Sequence, residues 1–156
     1  MKNPLRILMR LPVPWVFVLT YLLGAALESV RPRAISSKTA LVSTVAGAVL
    51  FLVGAVIAGW GLLLFRKAGT TTVPGQSSVK LVTWGPYRFT RNPMYVGLTF
   101  AYLGEAALLK QVWPALLLPF LLAYLNWTVI PVEEAKLHDG FKSEYEQYRL
   151  RVRRWV

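Results

Sequence analysis

Cysteine is absent from this 156-residue chain, and His138 is its only histidine. The first absence excludes disulfides, thiolate metal sites and cysteine nucleophiles, and the second leaves no histidine cluster to hold a metal. Acids are scarce as well, seven against eighteen Lys and Arg, so the formal charge is +11. A basic excess of that size raises the question of nucleic acid. The positive residues, however, sit between and after apolar runs, so anionic phospholipid is the expected partner and nucleic acid is not. What the chain has in quantity is apolar surface. Hydrophobic residues make up 55% and the mean hydropathy is +0.46, above the roughly 45–50% apolar share of soluble domains. The length suits a single integral-membrane domain over 1–156.

Four apolar stretches divide the sequence: 11–27, 41–65, 94–109 and 111–132. A membrane-spanning helix needs about 17–25 such residues. The second and fourth meet that length without a charge, and the first is just long enough. The third is short and contains Glu105. It reads either as a span beginning at Pro93 in the interface or as a hairpin arm with the fourth, broken near Trp113-Pro114. The expected fold is therefore all-α: a multi-pass membrane helix bundle of about four transmembrane helices, plus a C-terminal amphipathic interfacial helix. Residues 1–79 supply the N-terminal spans and 80–156 the core.

Lys2, Arg6 and Arg10 give the first stretch the look of a signal peptide. Without a small-x-small cleavage site leading into a soluble domain it reads as a retained span, with Pro12 and Pro14 at its start. With four spans, one side of the membrane holds fourteen Lys and Arg: three before the first span, five in the 66–91 loop and six after 132. The other side holds four. The positive-inside tendency puts both termini and the long loop in the cytoplasm. Within 41–65, Ala55 and Gly59 have the small-xxx-small spacing that lets another helix approach. Gly59-Trp60-Gly61 alternatively faces a ligand.

The polar segment 85–97, wedged between apolar runs, is the most informative part of the chain, because polar groups near hydrocarbon are costly. Gly85-Pro86-Tyr87 reads as a turn. Asn92-Pro93 reads as a helix start, with Asn92 capping the amides and Pro93 at the first helical position. Such a terminus suits a carboxylate or phosphate, and Arg88 and Arg91 add positive charge beside it. Asn92, Tyr95, Thr99 and Tyr102 then fall on one polar-aromatic stripe that Glu105 continues. The stripe serves either a ligand or bundle packing, and Glu105 is either functional or at the far interface beside Lys110. After the fourth stretch come Glu133-Glu134, then Leu137, Phe141, Tyr145 and Tyr148 along an amphipathic helix that anchors to the interface. Two adjacent acids at a negatively charged lipid surface suggest a cation to be met.

Residues 81–87 (Leu81-Val82-Thr83-Trp84-Gly85-Pro86-Tyr87), 91–97 (Arg91-Asn92-Pro93-Met94-Tyr95-Val96-Gly97) and Glu133-Glu134 with Leu137, Phe141, Tyr145 and Tyr148 resemble the integral-membrane methyltransferases. That group includes isoprenylcysteine carboxyl methyltransferases and phospholipid N-methyltransferases. The resemblance covers roughly 80–155. It implies S-adenosylmethionine as cofactor, bound without a Rossmann domain by Leu81, Val82, Tyr87, Asn92, Pro93, Met94, Tyr95 and Glu133. Two positions depart from the prenylcysteine enzymes. Asn92 stands where they have histidine, and Val129 where they have an arginine for the substrate carboxylate, which weakens the case for carboxyl methylation.

The expected function is methyl transfer to a lipophilic acceptor of isoprenylcysteine or phospholipid type, entering sideways between the span from Pro93 and the fourth span. Glu134, Glu105 and Arg91 are the candidate catalytic residues, with His138 a further candidate base and no metal expected. The alternatives are a sterol-type reductase using a nicotinamide cofactor and a non-enzymatic anchoring or assembly module.

Overall fold

The computed structural model describes residues 11–33, 40–69 and 80–156. Lys2, Arg6, Arg10 and Lys38, which enter the charge count above, lie outside them. The described residues form helices and turns without a strand. The helices are α1 (Val13–Val30), α2 (Ala40–Lys67), α3 (Pro93–Leu108), α4 (Val112–Tyr124) and α5 (Ile130–Arg151). A 3₁₀ turn, Gly85–Arg88, precedes α3, and a π-helical turn, Leu125–Val129, joins α4 to α5 without a break. Helices α1, α2 and the continuous run Val112–Arg151 are long and apolar enough to cross a membrane. At 1.5 Å per residue the 16-residue α3 is about 24 Å long, short of the ~30 Å hydrocarbon core. The protein is an integral-membrane helix bundle.

Its outer faces are those of a protein solvated by lipid. Leu19, Leu22 and Leu23 on α1 and Val45, Leu52 and Val56 on α2 are exposed, and apolar side chains need no other cover in hydrocarbon. Between helices the packing relies on small residues, since lipid offers no hydrophobic drive for association. The contact of α2 with α3 uses Gly47 and Gly54 against Gly97 and Gly104. A methyl group at any of the four would run into the opposite backbone. The expected pair Ala55 and Gly59 is therefore not the packing seam: a methyl on Gly59 meets nothing within 4 Å. The seam repeats every seven residues, so it keeps facing the same neighbour along the helix.

Helix α1 packs on α4 through Gly24, which lies under Pro114. Tyr102 of α3 meets Tyr21 and Phe17 of α1 edge-on, with centroids 5.1 and 6.1 Å apart. Its hydroxyl donates to the Pro114 carbonyl at 2.9 Å. The turn between α3 and α4 has Lys110 at φ 57°. Beyond it, one oxygen of Glu28 accepts from the Val112 and Trp113 amides at 2.7 and 2.9 Å. These are N-terminal amides of α4 with no partner inside the helix, where an acid also suits the dipole.

The π turn has a local cause. Pro131 has no N–H and its ring would strike the carbonyl one turn back. The chain widens instead, and the Ile130 amide reaches the Leu125 carbonyl. Proline insertion and π-bulges are the usual origins of such irregularities. The expected amphipathic helix is consequently a continuation of the last span. It is interrupted at Lys142, whose φ of 44° and ψ of −115° are not helical.

Candidate functional site

At one end of the bundle the start of α1, the lower turns of α2, residues 80–95 and α5 enclose a cavity of about 450 Å³. This falls in the ~300–1,000 Å³ range of cofactor-sized sites. Leu81, Val82, Tyr87, Asn92, Pro93, Met94, Tyr95 and Glu133 all line it, as do Arg91 and Glu134. The two parts of the sequence pattern, some forty residues apart, thus share one space. One contact that joins them is the Tyr95 hydroxyl donating to Glu133 Oε1 at 2.7 Å.

Local chemistry explains the placement. Gly85 turns the chain with φ of 64°, a conformation glycine adopts without strain. The turn delivers Tyr87, buried with its ring 5.3 Å from that of Phe65. Tyr148 of α5 donates to the Tyr87 carbonyl at 2.8 Å. Tyr145 and Tyr148, with Leu137 and Phe141 beside them, pack on Leu81, so the amphipathic stripe holds the 81–87 strip in place. Asn92 stands at the start of α3 but does not cap it with its side chain. Its side-chain amide donates instead to the Arg154 carbonyl at 2.9 Å, because residues 152–156 cross directly over this turn. The Thr90 hydroxyl donates to the same carbonyl at 3.0 Å, and the Arg91 backbone amide to that of Arg153 at 2.9 Å.

Charge is concentrated beside the cavity. Arg91 Nη1 lies 3.2 Å from Glu134 Oε1, with side chains only 11% and 16% exposed, and it donates to the Tyr145 hydroxyl at 3.2 Å. Arg154 holds both Glu134 oxygens, Nε to Oε1 at 3.0 Å and Nη2 to Oε2 at 2.6 Å. Among the described residues Glu133 joins no ion pair. Two buried polar atoms of lining residues have no hydrogen-bond partner among the described residues: the Tyr87 hydroxyl and Arg91 Nε. Burial pushes the Tyr87 phenol up, so it stays protonated and able to donate. An unpaired buried donor costs about 1–3 kcal/mol, a cost that a ligand with acceptor groups removes.

The other expected site residues fall elsewhere. Glu105 is absent from the lining. It lies twelve residues along α3 from Pro93, about 18 Å at helical rise, near Tyr21 and Tyr102. His138 pairs with Glu146 at 3.3 Å on the exposed side of α5, and Arg88 is exposed. The polar-aromatic stripe of α3 divides: Tyr95 faces the cavity, while Tyr102 serves the α1–α4 contact and Thr99 bonds its own helix. Val129 packs on the core and does not face the cavity. No residue of α4 lines the cavity, and the groove between α3 and α4 is separate, lined by Val96, Phe100, Pro119 and Trp127. The expected sideways route lies between those spans, whereas the apolar side of the cavity lies along Pro12, Ala58, Gly59, Leu62 and Leu98. Sequence reasoning missed this wall and also Lys136 at the rim. The one available signal was the Gly59-Trp60-Gly61 pair.

The sequence pattern of the PEMT family, the phospholipid methyltransferases, matches residues 42–144. A 72-residue stretch, 46% of this chain, is 40% identical to the protein-S-isoprenylcysteine O-methyltransferase of Schizosaccharomyces pombe. That stretch covers 30% of the relative's length. No solved structure matches significantly. With a match over more than half its length that takes in nearly all of α2, the cavity turn, α3, α4 and both cavity acids, the chain belongs to the phospholipid methyltransferase family.

Proposed function

We propose that this protein transfers a methyl group from S-adenosylmethionine to a lipophilic acceptor drawn from the bilayer. The observation that carries the reading is one cavity whose walls hold the Tyr95–Glu133 pair together with Tyr87 and Arg91, whose buried hydroxyl and Nε are unpartnered. Those groups fit a ligand bearing an ammonium, a carboxylate and an aromatic base. When bound, the cofactor supplies a methyl on a positively charged sulfur, which is already a good leaving group. Glu133, braced by Tyr95, meets the ammonium. Arg91 Nε, beside the positive end of the α3 dipole, meets the carboxylate. Phe65 and Tyr87 offer an aromatic wall to the base, and the tyrosines attract the sulfonium by about 0.5–2 kcal/mol. The apolar wall at Gly59, Leu62 and Leu98 excludes water and receives the acceptor's hydrocarbon.

The chain supplies positioning and little acid–base chemistry. Glu134 is engaged by two arginines, Glu105 and His138 lie away, and Glu133 belongs to the cofactor's ammonium. An acceptor that is already anionic, a carboxylate or thiolate, needs no base, which favours the isoprenylcysteine type over an amine. The distribution of Lys and Arg supports a cytoplasmic site, and the exposed Arg149, Arg151 and Arg153 suit anionic headgroups.

The test is calorimetric titration of the purified protein with S-adenosylhomocysteine and, separately, NADPH. The expected result is binding of the first and not the second, weakened tenfold or more in Glu133→Gln, since about 1.4 kcal/mol is lost with one charged contact. Binding of NADPH alone supports a reductase, and binding of neither supports an anchoring module.

A further inference from the structure

Arg154 lies outside the cavity lining, yet it ties together more of the chain than any lining residue described above. Its guanidinium spans both oxygens of Glu134. Its Nη1 lies 3.4 Å from the carbonyl and from Oδ1 of Asn126. That carbonyl is available because the π turn gives the Ile130 amide to Leu125 and Pro131 has no amide to offer. The Arg154 carbonyl accepts from Thr90 and Asn92 on the turn that carries Arg91, and the neighbouring Trp155 indole donates to Asn126 Oδ1 at 3.0 Å. Residues 152–156 are thereby pinned to the π turn, to α5 and to the start of α3 together.

We infer that Arg154 is a positioning residue for cofactor binding: by occupying both oxygens of Glu134 it keeps Glu134 on one side of Arg91 and leaves Arg91 Nε unpartnered at the cavity wall. The inference rests on the cofactor reading above. Glu134 touches Arg91 only through Nη1, which it shares with Tyr145, while Nε is unpartnered. A carboxylate with both oxygens free binds a guanidinium preferentially as a two-pronged pair. Deprived of Arg154, Glu134 is free to take Arg91 through Nε and Nη together, withdrawing one of the two unpartnered donors of the cavity wall. The π turn acquires a role in the same arrangement, since it supplies the acceptors that aim Arg154.

The experiment compares wild type, Arg154→Gln, Arg154→Lys, Glu134→Gln and the double variant Arg154→Gln/Glu134→Gln. The readouts are S-adenosylhomocysteine affinity, the KM for S-adenosylmethionine and the KM for a prenylcysteine acceptor. Arg154→Gln is expected to bind the homocysteine analogue about tenfold more weakly, the usual cost of losing a residue that orients a ligating group. Its cofactor KM rises while its acceptor KM holds. Lysine, a point charge that cannot grip both oxygens, gives an intermediate loss. The decisive arm is the double variant: a neutral carboxamide in place of the Glu134 carboxylate does not capture Arg91, so affinity returns toward wild type. A purely structural contribution gives the opposite, losses that add. Wild-type affinity in Arg154→Gln, or a double variant weaker than either single one, overturns the inference. Should Arg154→Gln fail to fold by thermal melting, Arg154→Lys with and without Glu134→Gln makes the same comparison. A wild type that binds no S-adenosylhomocysteine refutes the cofactor assignment itself, and this inference with it.

Discussion

The same substitution, Gly to Ala, made twice on α2 five residues apart is expected to give opposite results. At Gly54 the new methyl carbon stands 2.5 Å from the Gly97 carbonyl oxygen and 2.9 Å from the Phe100 carbonyl carbon, and also strikes the Ala101 amide. Carbon contacts settle at about 3.5–4.0 Å, so the two helices must part by roughly 1 Å. All the obstructing atoms are backbone and cannot swing aside. A gap of that size forfeits about a quarter to a half of the attraction of each contact across the seam. Overpacking of this kind costs about 1–3 kcal/mol, which at about 2–4 °C per kcal/mol for a chain of this size lowers Tm by roughly 2–12 °C. Because Met94 and Tyr95 of α3 and Ala58 and Leu62 of α2 line the cavity, the separation also weakens S-adenosylhomocysteine binding. At Gly59 the methyl meets nothing within 4 Å. Alanine there improves helix propensity by up to about 1 kcal/mol, so Tm is unchanged or slightly higher. The assay is thermal unfolding in detergent followed by tryptophan fluorescence. Equal losses in the two variants, or an unaffected Gly54→Ala, refute the seam described for α2 and α3.

Tyr95→Phe removes the donor to Glu133. A hydrogen bond to a charged group is worth about 1.5–3 kcal/mol, so the Kd for S-adenosylhomocysteine rises about 10- to 100-fold by calorimetry. Tyr148→Phe leaves the buried Tyr87 carbonyl without its donor; a loss of about 1–3 kcal/mol in stability should show up as a lower Tm. Lys142→Gly relieves a positive φ in a residue with a side chain, and Tm should rise, since such strain costs about 1–3 kcal/mol.

The parts of this architecture legible in the sequence are those written in local pattern. Lengths of uncharged residues give the spans, and Pro93 gives the start of α3 to the residue. The pairing of the Tyr87–Tyr95 region with Glu133 comes from resemblance to methyltransferases, and all eight residues named for the cofactor line one cavity. What fails is legible only in three dimensions. Asn92 carries a capping residue's identity at a capping position, but its side chain is oriented by donating its amide to the Arg154 carbonyl, and its oxygen caps no helix amide. Ala55 and Gly59 have the right spacing for helix contact, yet a spacing does not say which face meets the neighbour, and Gly47 and Gly54 do so instead. Glu105 looks functional because an acid in a short span is costly. Its helical phase is right, but it stands at the wrong end of α3. The role of residues 152–156 carries no sequence signal beyond basic charge, which reads equally well as headgroup binding.

The nature of the acceptor can be argued one step further from the cavity rim. In sequence, Val129 reads as a lost cation, evidence against a carboxylate acceptor, but Val129 packs in the core. The cations that do line the cavity are Lys80, Arg91 and Lys136. With Arg91 assigned to the cofactor's carboxylate in the function proposed above and Lys80 over the Trp84 ring, Lys136, exposed on α5 three residues past Glu133, is the charge proposed to meet an arriving headgroup. A lysine there attracts a carboxylate and repels an ammonium. Because the group is exposed, the attraction is modest, about 0.2–1 kcal/mol, or roughly a 1.4- to 5-fold change in acceptor KM. Lys136→Gln should therefore raise the KM for a prenylcysteine acceptor by that factor, leave the cofactor KM unchanged, and lose its effect as ionic strength shortens the Debye length toward 3 Å at about 1 M salt. Lys136→Glu should raise the carboxylate acceptor's KM further and lower that of an amine-bearing lipid. A carboxylate acceptor indifferent to both substitutions at low salt would show that the headgroup does not pass this rim.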